Sequence, residues 1–198
     1  MANPALRPMD YLTVGTIAFV LFYMFDLYQI KKLPEIFRFC FLPGCAMLAY
    51  ALVGLIFIVP EPDGFSRLNY LFLIPAAISL LAAVYSLFFA LPADKTYSAE
   101  SGRRLIDRGV YALCRHPGVL PLSLTFFFFW LSFQKAFMFN AFILWSAANL
   151  LLVAAEDRYI FPKLFEDYED YKRRVPFLMP TKESLRQCIA DLKIIFSR

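Results

Sequence analysis

The 198-residue sequence contains a single histidine, His116, and its four cysteines, Cys40, Cys45, Cys114 and Cys188, form no CxxC pair. With no Cys/His set at zinc spacing, no metal site is expected. Cys40 and Cys45 read as ordinary residues of an apolar segment and Cys114 as a passenger of a polar one, so they indicate no redox compartment. Charge is also scarce: 18% of residues are charged, against 60% hydrophobic and 18% aromatic. That balance excludes an ordinary soluble domain. The net charge of +4 is too small and too unevenly placed to argue for a nucleic-acid partner. No internal repeat or low-complexity linker is present. No cleavable signal peptide is expected, because Ala2 to Tyr11 is prolyl and weakly polar and the apolar block that follows is long enough to remain as a helix.

Long apolar runs, by contrast, are abundant. Five blocks approach the ~20 residues that a membrane-spanning helix needs: Tyr11 to about Tyr28, Phe41 to Val59, Leu68 to Leu91, Gly118 to Phe133 and Ala136 to Ala155. The fold expected is an all-α polytopic membrane protein of about five transmembrane helices. Asp26, near the end of the first block, lies one turn from Lys31 and Lys32 and is expected to pair with them as an interfacial acid. Pro60-Glu61-Pro62-Asp63-Gly64 has turn composition, and Pro75 is expected to kink the third helix. Only Gln134-Lys135 separates the last two blocks, which implies a tight antiparallel hairpin. The expected organisation is a three-helix scaffold over 1–92, a core of loop, hairpin and post-hairpin segment over 93–180, and an amphipathic cytoplasmic tail over 181–198.

Basic residues set the orientation. With the N-terminus outside, segments 30–40, 92–117 and 156–198 lie inside and carry 3, 5 and 9 Lys/Arg, which is 17 of 20. Only Arg7, Arg67 and Lys135 fall on the other side, as the positive-inside rule requires. Both polar stretches that could carry chemistry then face the cytoplasm.

The first of these is Gly109-Val110-Tyr111-Ala112-Leu113-Cys114-Arg115-His116-Pro117, and the second runs from Glu156 to Pro180. Pro117 reads as the start of the fourth helix and Glu156 as the end of the fifth, so a hairpin with arms of similar length sets them side by side. Arg115 and His116 should therefore lie near Glu156, Asp157 and Arg158, over a helix N-terminus suited to an anionic or polar ligand. Tyr168 and Tyr171 share a helix face that Arg174 continues. On spacing alone these three residues fit equally well an interfacial helix that holds the tail to lipid headgroups.

Leu105-Ile106, Gly109-Val110-Tyr111 and Arg115-His116-Pro117, followed by an apolar hairpin, resemble the isoprenylcysteine carboxyl methyltransferase family and its membrane methyltransferase relatives. Glu156-Asp157, Tyr168-x-x-Tyr171-x-x-Arg174-Val175-Pro176 and Pro180 resemble that family's tail, and the likeness covers about residues 105–180. It implies an S-adenosylmethionine-dependent methyltransferase, integral to the membrane and multi-pass. The cofactor would be enclosed on the cytoplasmic side, and a lipophilic or lipidated acceptor would enter from the bilayer lipids. By carry-over, Tyr111, Arg115, His116, Pro117, Glu156, Tyr168 and Tyr171 would contact the cofactor, and Arg174 and Glu156 would serve catalysis. A carboxylate acceptor would use an arginine to orient it, and an amine acceptor an acid to take its proton. The bacterial inner membrane and the endoplasmic reticulum both fit. The chain departs from the family's usual residues at Val119 and Pro121, where a tyrosine and a glycine are usual after Arg-His-Pro. It departs again at Phe165 for glycine and at Phe177 for an arginine. Two other readings remain open at this point: a non-catalytic membrane scaffold of the same fold, and an NADPH-dependent enzyme similar to steroid reductases.

Overall fold

The computed structural model describes residues 7–60, 62, 65–90 and 105–196. Part of the Pro60–Gly64 turn and residues 92–104 of the central loop therefore lie outside the described residues. Every described element is helical. Helix α1 spans Pro8–Gln29, and α2, Phe41–Phe57, follows a short 3-10 turn at Glu35–Phe39. Helix α3, Leu73–Val84, is entered through a 3-10 segment at Arg67–Phe72 and leaves through a π turn at Tyr85–Phe89. After the four-residue α4, Val110–Leu113, come α5, Val119–Phe133, and α6, Ala136–Ala155. A π turn at Glu156–Ile160 extends α6 into α7, Phe161–Leu164, and α8, Tyr168–Arg174, and α9, Lys182–Phe196, complete the chain.

Three of these segments, Pro8–Gln29, Arg67–Phe89 and Ala136–Leu164, are long and apolar enough to cross a membrane, while α2 and α5 are apolar but shorter. Pro75 does not kink α3. It sits in the helix's first turn, where its missing N–H costs no intrahelical bond, and the irregular geometry falls at the π turn instead.

Aromatic pairs and close contacts sort the helix ends into two levels. Tyr11 meets Tyr50 at 5.7 Å and Phe25 meets Phe41 at 5.5 Å, so α1 and α2 are antiparallel. Tyr70 meets Phe133 at 5.9 Å, while Leu87 and Ser86 lie beside Gly118, so α3 and α5 are antiparallel too. The α5–α6 turn is as tight as its two residues imply. Gln134 takes left-handed backbone (φ 54°) and donates its N–H to Trp130 O at 2.7 Å. Lys135, expected as a simple polar break, is buried, and its ammonium donates to the Ile56 carbonyl in the last turn of α2. A cation at a helix C-terminus satisfies a carbonyl that has no intrahelical donor. This bond also sets the hairpin tip level with the end of α2.

Helices α1 and α6 pack side by side and run in the same direction. The fully buried Trp145 ring lies against Gly15, where a Cβ would fall on the indole, and Trp145 Nε1 donates to Leu12 O at 3.3 Å. Small residues allow such close approach between membrane helices. From Gly15 to Asp26 is eleven residues, and so is Trp145 to Glu156. Equal rise of roughly 16 Å along two parallel helices carries the pair Gly15–Trp145 to the pair Asp26–Glu156.

Candidate functional site

The level opposite the hairpin tip collects the ends of α1, α3 and α6 and the start of α5, and here the two polar stretches meet. Gly109 opens α4 with φ +61°, a conformation that glycine adopts without strain, and its N–H donates to Asp191 Oδ2 of α9 at 3.0 Å. Tyr111 then ties the loop at two points. Its hydroxyl donates to Ser86 O of the α3 exit turn at 2.8 Å, and its carbonyl accepts from the Tyr171 hydroxyl at 2.7 Å. Pro117 lies two residues ahead of α5, whose flanking residue is Gly118, so it shapes the approach to the helix rather than its first turn. The backbone of the loop is clamped to the tail, with Arg115 N–H donating to Pro176 O at 2.9 Å and His116 N–H to Phe177 O at 3.3 Å.

The side chains complete the closure. Arg115 Nε stands 3.0 Å from Asp157 Oδ1, an ion-pair distance whose geometry leaves that N–H without a hydrogen-bond acceptor. Its Nη1 donates to Lys172 O at 3.2 Å, and its guanidinium lies over the Phe177 ring. His116, with a side chain only 4% exposed, places Nδ1 3.4 Å from Glu156 Oε2 and Nε2 3.7 Å from Asp157 Oδ1. The second distance is too long for a hydrogen bond, and Nε2 has no partner. The imidazole stacks on Phe161 at 5.7 Å and meets Phe177 edge-on at 5.2 Å. Burial by itself would lower its basicity, but the negative charge of the nearby Asp157 and Glu156 carboxyls outweighs burial and raises its pKa above the ordinary histidine value. Cys114 beside it is buried, which pushes its thiol up to about 11 and leaves it an inert neighbour.

Tyr168 and Tyr171 face into the protein. The Tyr168 hydroxyl donates to Asp157 Oδ1 at 2.8 Å, and both rings are almost completely buried with Val175, Phe161 and Phe165. Burial, then the bond to Asp157, raises the Tyr168 pKa well above its usual value, so it stays a donor. These tyrosines therefore do not lie on lipid headgroups: they hold Asp157 and the loop in place. Arg174 is placed differently. Its side chain is 60% exposed and pairs with Asp107 at 3.1 Å. It faces a cleft of about 450 Å³ bordered by Arg108, Glu183, Gln187 and Asp191 rather than the groups around His116. Arg158 is exposed and outside the cluster.

The departures from the family pattern are accommodated locally. Phe177 is the aromatic wall over Arg115 and His116. Phe165 has extended backbone (φ −126°) that any residue adopts, so no glycine is needed there. Val119 is buried at the start of α5, and Pro121 sits in that helix's first turn, its carbonyl accepting from Thr125 Oγ1.

Asp26 is the member that sequence reasoning missed. It is 6% exposed, while Lys31 and Lys32 are exposed and make no ion pair with it among the described residues. One oxygen accepts from Gln29 Nε2 at 3.3 Å, and the Glu156 carboxyl, on the exit turn of α6 that packs against α1, is a close neighbour. The nearby lysines offered a local partner on paper, but burial between α1 and α6 turned the acid inward. An acid inside a predicted span is itself a signal for a functional site, and here it outranks the local pairing. Among the described residues no group of three His, Cys, Asp or Glu side chains is arranged to hold a metal ion. No protein-family model, no curated protein and no solved structure matches this chain.

Proposed function

We propose that the protein is a membrane-embedded methyltransferase that moves a methyl group from S-adenosylmethionine to a lipophilic acceptor. The observation that carries this reading is the closure of Arg115-His116, Glu156-Asp157 and Pro176-Phe177 into one buried cluster. Apart from Phe177, these are residues through which the sequence resembles the isoprenylcysteine carboxyl methyltransferase family. The apolar helices support a membrane location, with five spans, an outside N-terminus and a cytoplasmic site completing the proposal.

The residues present fit the cofactor. Buried Arg115 Nε and His116 Nε2 lack acceptors, and the carboxylates of Glu156 and Asp157 stand beside them. Unsatisfied buried donors next to acids suit a ligand that is itself zwitterionic and cationic. Arg115, His116 and Glu156 would hold it, with Tyr111, Pro117, Tyr168 and Tyr171 fixing the loop and Asp157 around it. When bound, the cofactor supplies an electrophilic methyl group on a sulfonium. What the chain adds is alignment, desolvation and a proton acceptor in Glu156. The test is to incubate membranes containing the protein with methyl-labelled S-adenosylmethionine and count label in the extracted lipid. Wild-type protein is expected to transfer label, and His116→Ala to lose about a hundredfold, the scale of a misplaced reacting group. Absence of label with wild-type protein, in membranes supplied with prenylcysteine and amino-lipid candidates, would replace this reading with a non-catalytic scaffold.

A further inference from the structure

Three carboxyls meet at the site, but the cations are unevenly shared. Among the described residues Asp157 has Arg115, Glu156 has His116, and Asp26 has none. Asp26 Oδ2 is buried and lacks a hydrogen-bond donor. The groups facing Asp26 are Gln29 on its own helix and Glu156 from the α6 exit turn, with His116 and Arg115 of the loop beyond them. A buried carboxyl set beside a second carboxyl, with one oxygen lacking a donor and no cation of its own, is complementary to a positive ligand group that can also donate hydrogen bonds. An acceptor carboxylate would bring a further negative charge to this place, and Arg174, which could have oriented it, is paired with Asp107 in a separate cleft. Tyr23 on α1 and Leu150 and Leu151 on α6, within two turns of this point, are exposed and largely apolar, which suits a chain-bearing ligand.

We propose that Asp26 and Glu156 form the seat of a protonated amine carried by the lipophilic acceptor. Asp26 binds the ammonium and Glu156 receives its proton. In that step one N–H bond breaks, its electron pair stays on nitrogen as a free lone pair, and the proton forms an O–H bond on Glu156. The assignment to an acceptor rests on the methyltransferase reading. Binding of an amine does not, because it can be measured without cofactor.

The probes are dodecylamine, dodecanoic acid and dodecanol, which share a chain and differ in the head. Binding to the full chain in detergent is read from melting shifts across a concentration series, without cofactor. Wild-type protein is expected to bind dodecylamine roughly tenfold more tightly than the other two, the worth of about one charge-assisted hydrogen bond. Asp26→Asn, of nearly the same size, should erase that preference and leave S-adenosylmethionine affinity unchanged. Equal binding of amine and alcohol by wild-type protein would overturn the proposal, and so would a preference that survives Asp26→Asn. Loss of S-adenosylmethionine affinity in that variant, with the amine preference intact, would assign the seat to the cofactor's own ammonium and also overturn it. If Asp26→Asn does not fold, wild-type discrimination between the three heads decides. Amine selectivity without any methyl transfer would retire the methyltransferase reading and leave the seat standing.

Discussion

Arg115→Met is expected to lower the unfolding free energy by about 3 kcal/mol, at the lower end of the range for breaking a buried ion pair. Arg115 and Asp157 side chains are 11% and 10% exposed, so the abandoned carboxylate cannot simply hydrate. The lower end applies because Asp157 keeps the Tyr168 hydroxyl at 2.8 Å and has His116 nearby. Methionine preserves much of the aliphatic volume against Phe177, so the loss reports charge more than packing. Asp157→Leu made alone and together with Arg115→Met completes a cycle. The double variant should be less damaged than the sum of the singles, by about 0.5–3 kcal/mol. Equilibrium unfolding in mixed nonionic and ionic micelles measures each corner. Strict additivity would mean that the loop and the α6 exit turn are not joined through this pair.

Trp145→Ala should cost about 3–5 kcal/mol, the usual price of emptying the place of a buried aromatic residue. Trp145 is fully buried, meets Phe126 edge-on at 5.4 Å, and fills the space that Gly15 leaves open. In a bilayer the gain from helix contact comes mainly from such packing and not from removal of apolar surface from water. Trp145→Phe refills most of the volume, and the Leu12 carbonyl still accepts from Thr16 Oγ1, so less than about 1.5 kcal/mol is expected there. The contact also sets which residue of α1 faces Glu156. Loosening it should therefore weaken the selectivity for an amine head proposed above even at temperatures where the Trp145→Ala protein stays folded. Unchanged stability in that variant would show that α1 and α6 are not locked at Gly15.

The elements that were legible in the sequence are those that depend on uninterrupted apolar runs. The regular α-helical part of α6, Ala136–Ala155, covers the fifth apolar block, although the helical path continues past its charged end through the π turn into α7. The meeting of Arg115 and His116 with Glu156 and Asp157 was legible for a related reason: a two-residue break permits only one arrangement of its arms. Arg158 was grouped with them from its position in the sequence, but the π turn at Glu156–Ile160 turns it outward. What could not be read depends on partners far along the chain. Asp26 meets a carboxyl 130 residues later, through a helix pairing set by Gly15 and Trp145, while two lysines stood one turn away as a plausible local answer. Lys135 shows the same limit, since its charge was visible but the Ile56 carbonyl that it caps was not. Tyr168 and Tyr171 suited either a lipid interface or a site, and the burial that ties them to Asp157 and the Tyr111 carbonyl was not visible in their spacing.

The proposed function requires that the two polar stretches form one site for S-adenosylmethionine. The most direct measurement is the stability of purified protein in detergent with S-adenosylmethionine, its demethylated product or NADPH, in wild type and in His116→Ala. At a ligand concentration about 100-fold above the dissociation constant, mass action predicts a gain of about 2.7 kcal/mol for wild type with either methionine-derived ligand. NADPH should give none, and His116→Ala should give a markedly smaller gain at the same concentration. Stabilisation by NADPH alone, or equal stabilisation of wild type and His116→Ala by S-adenosylmethionine, would contradict the account.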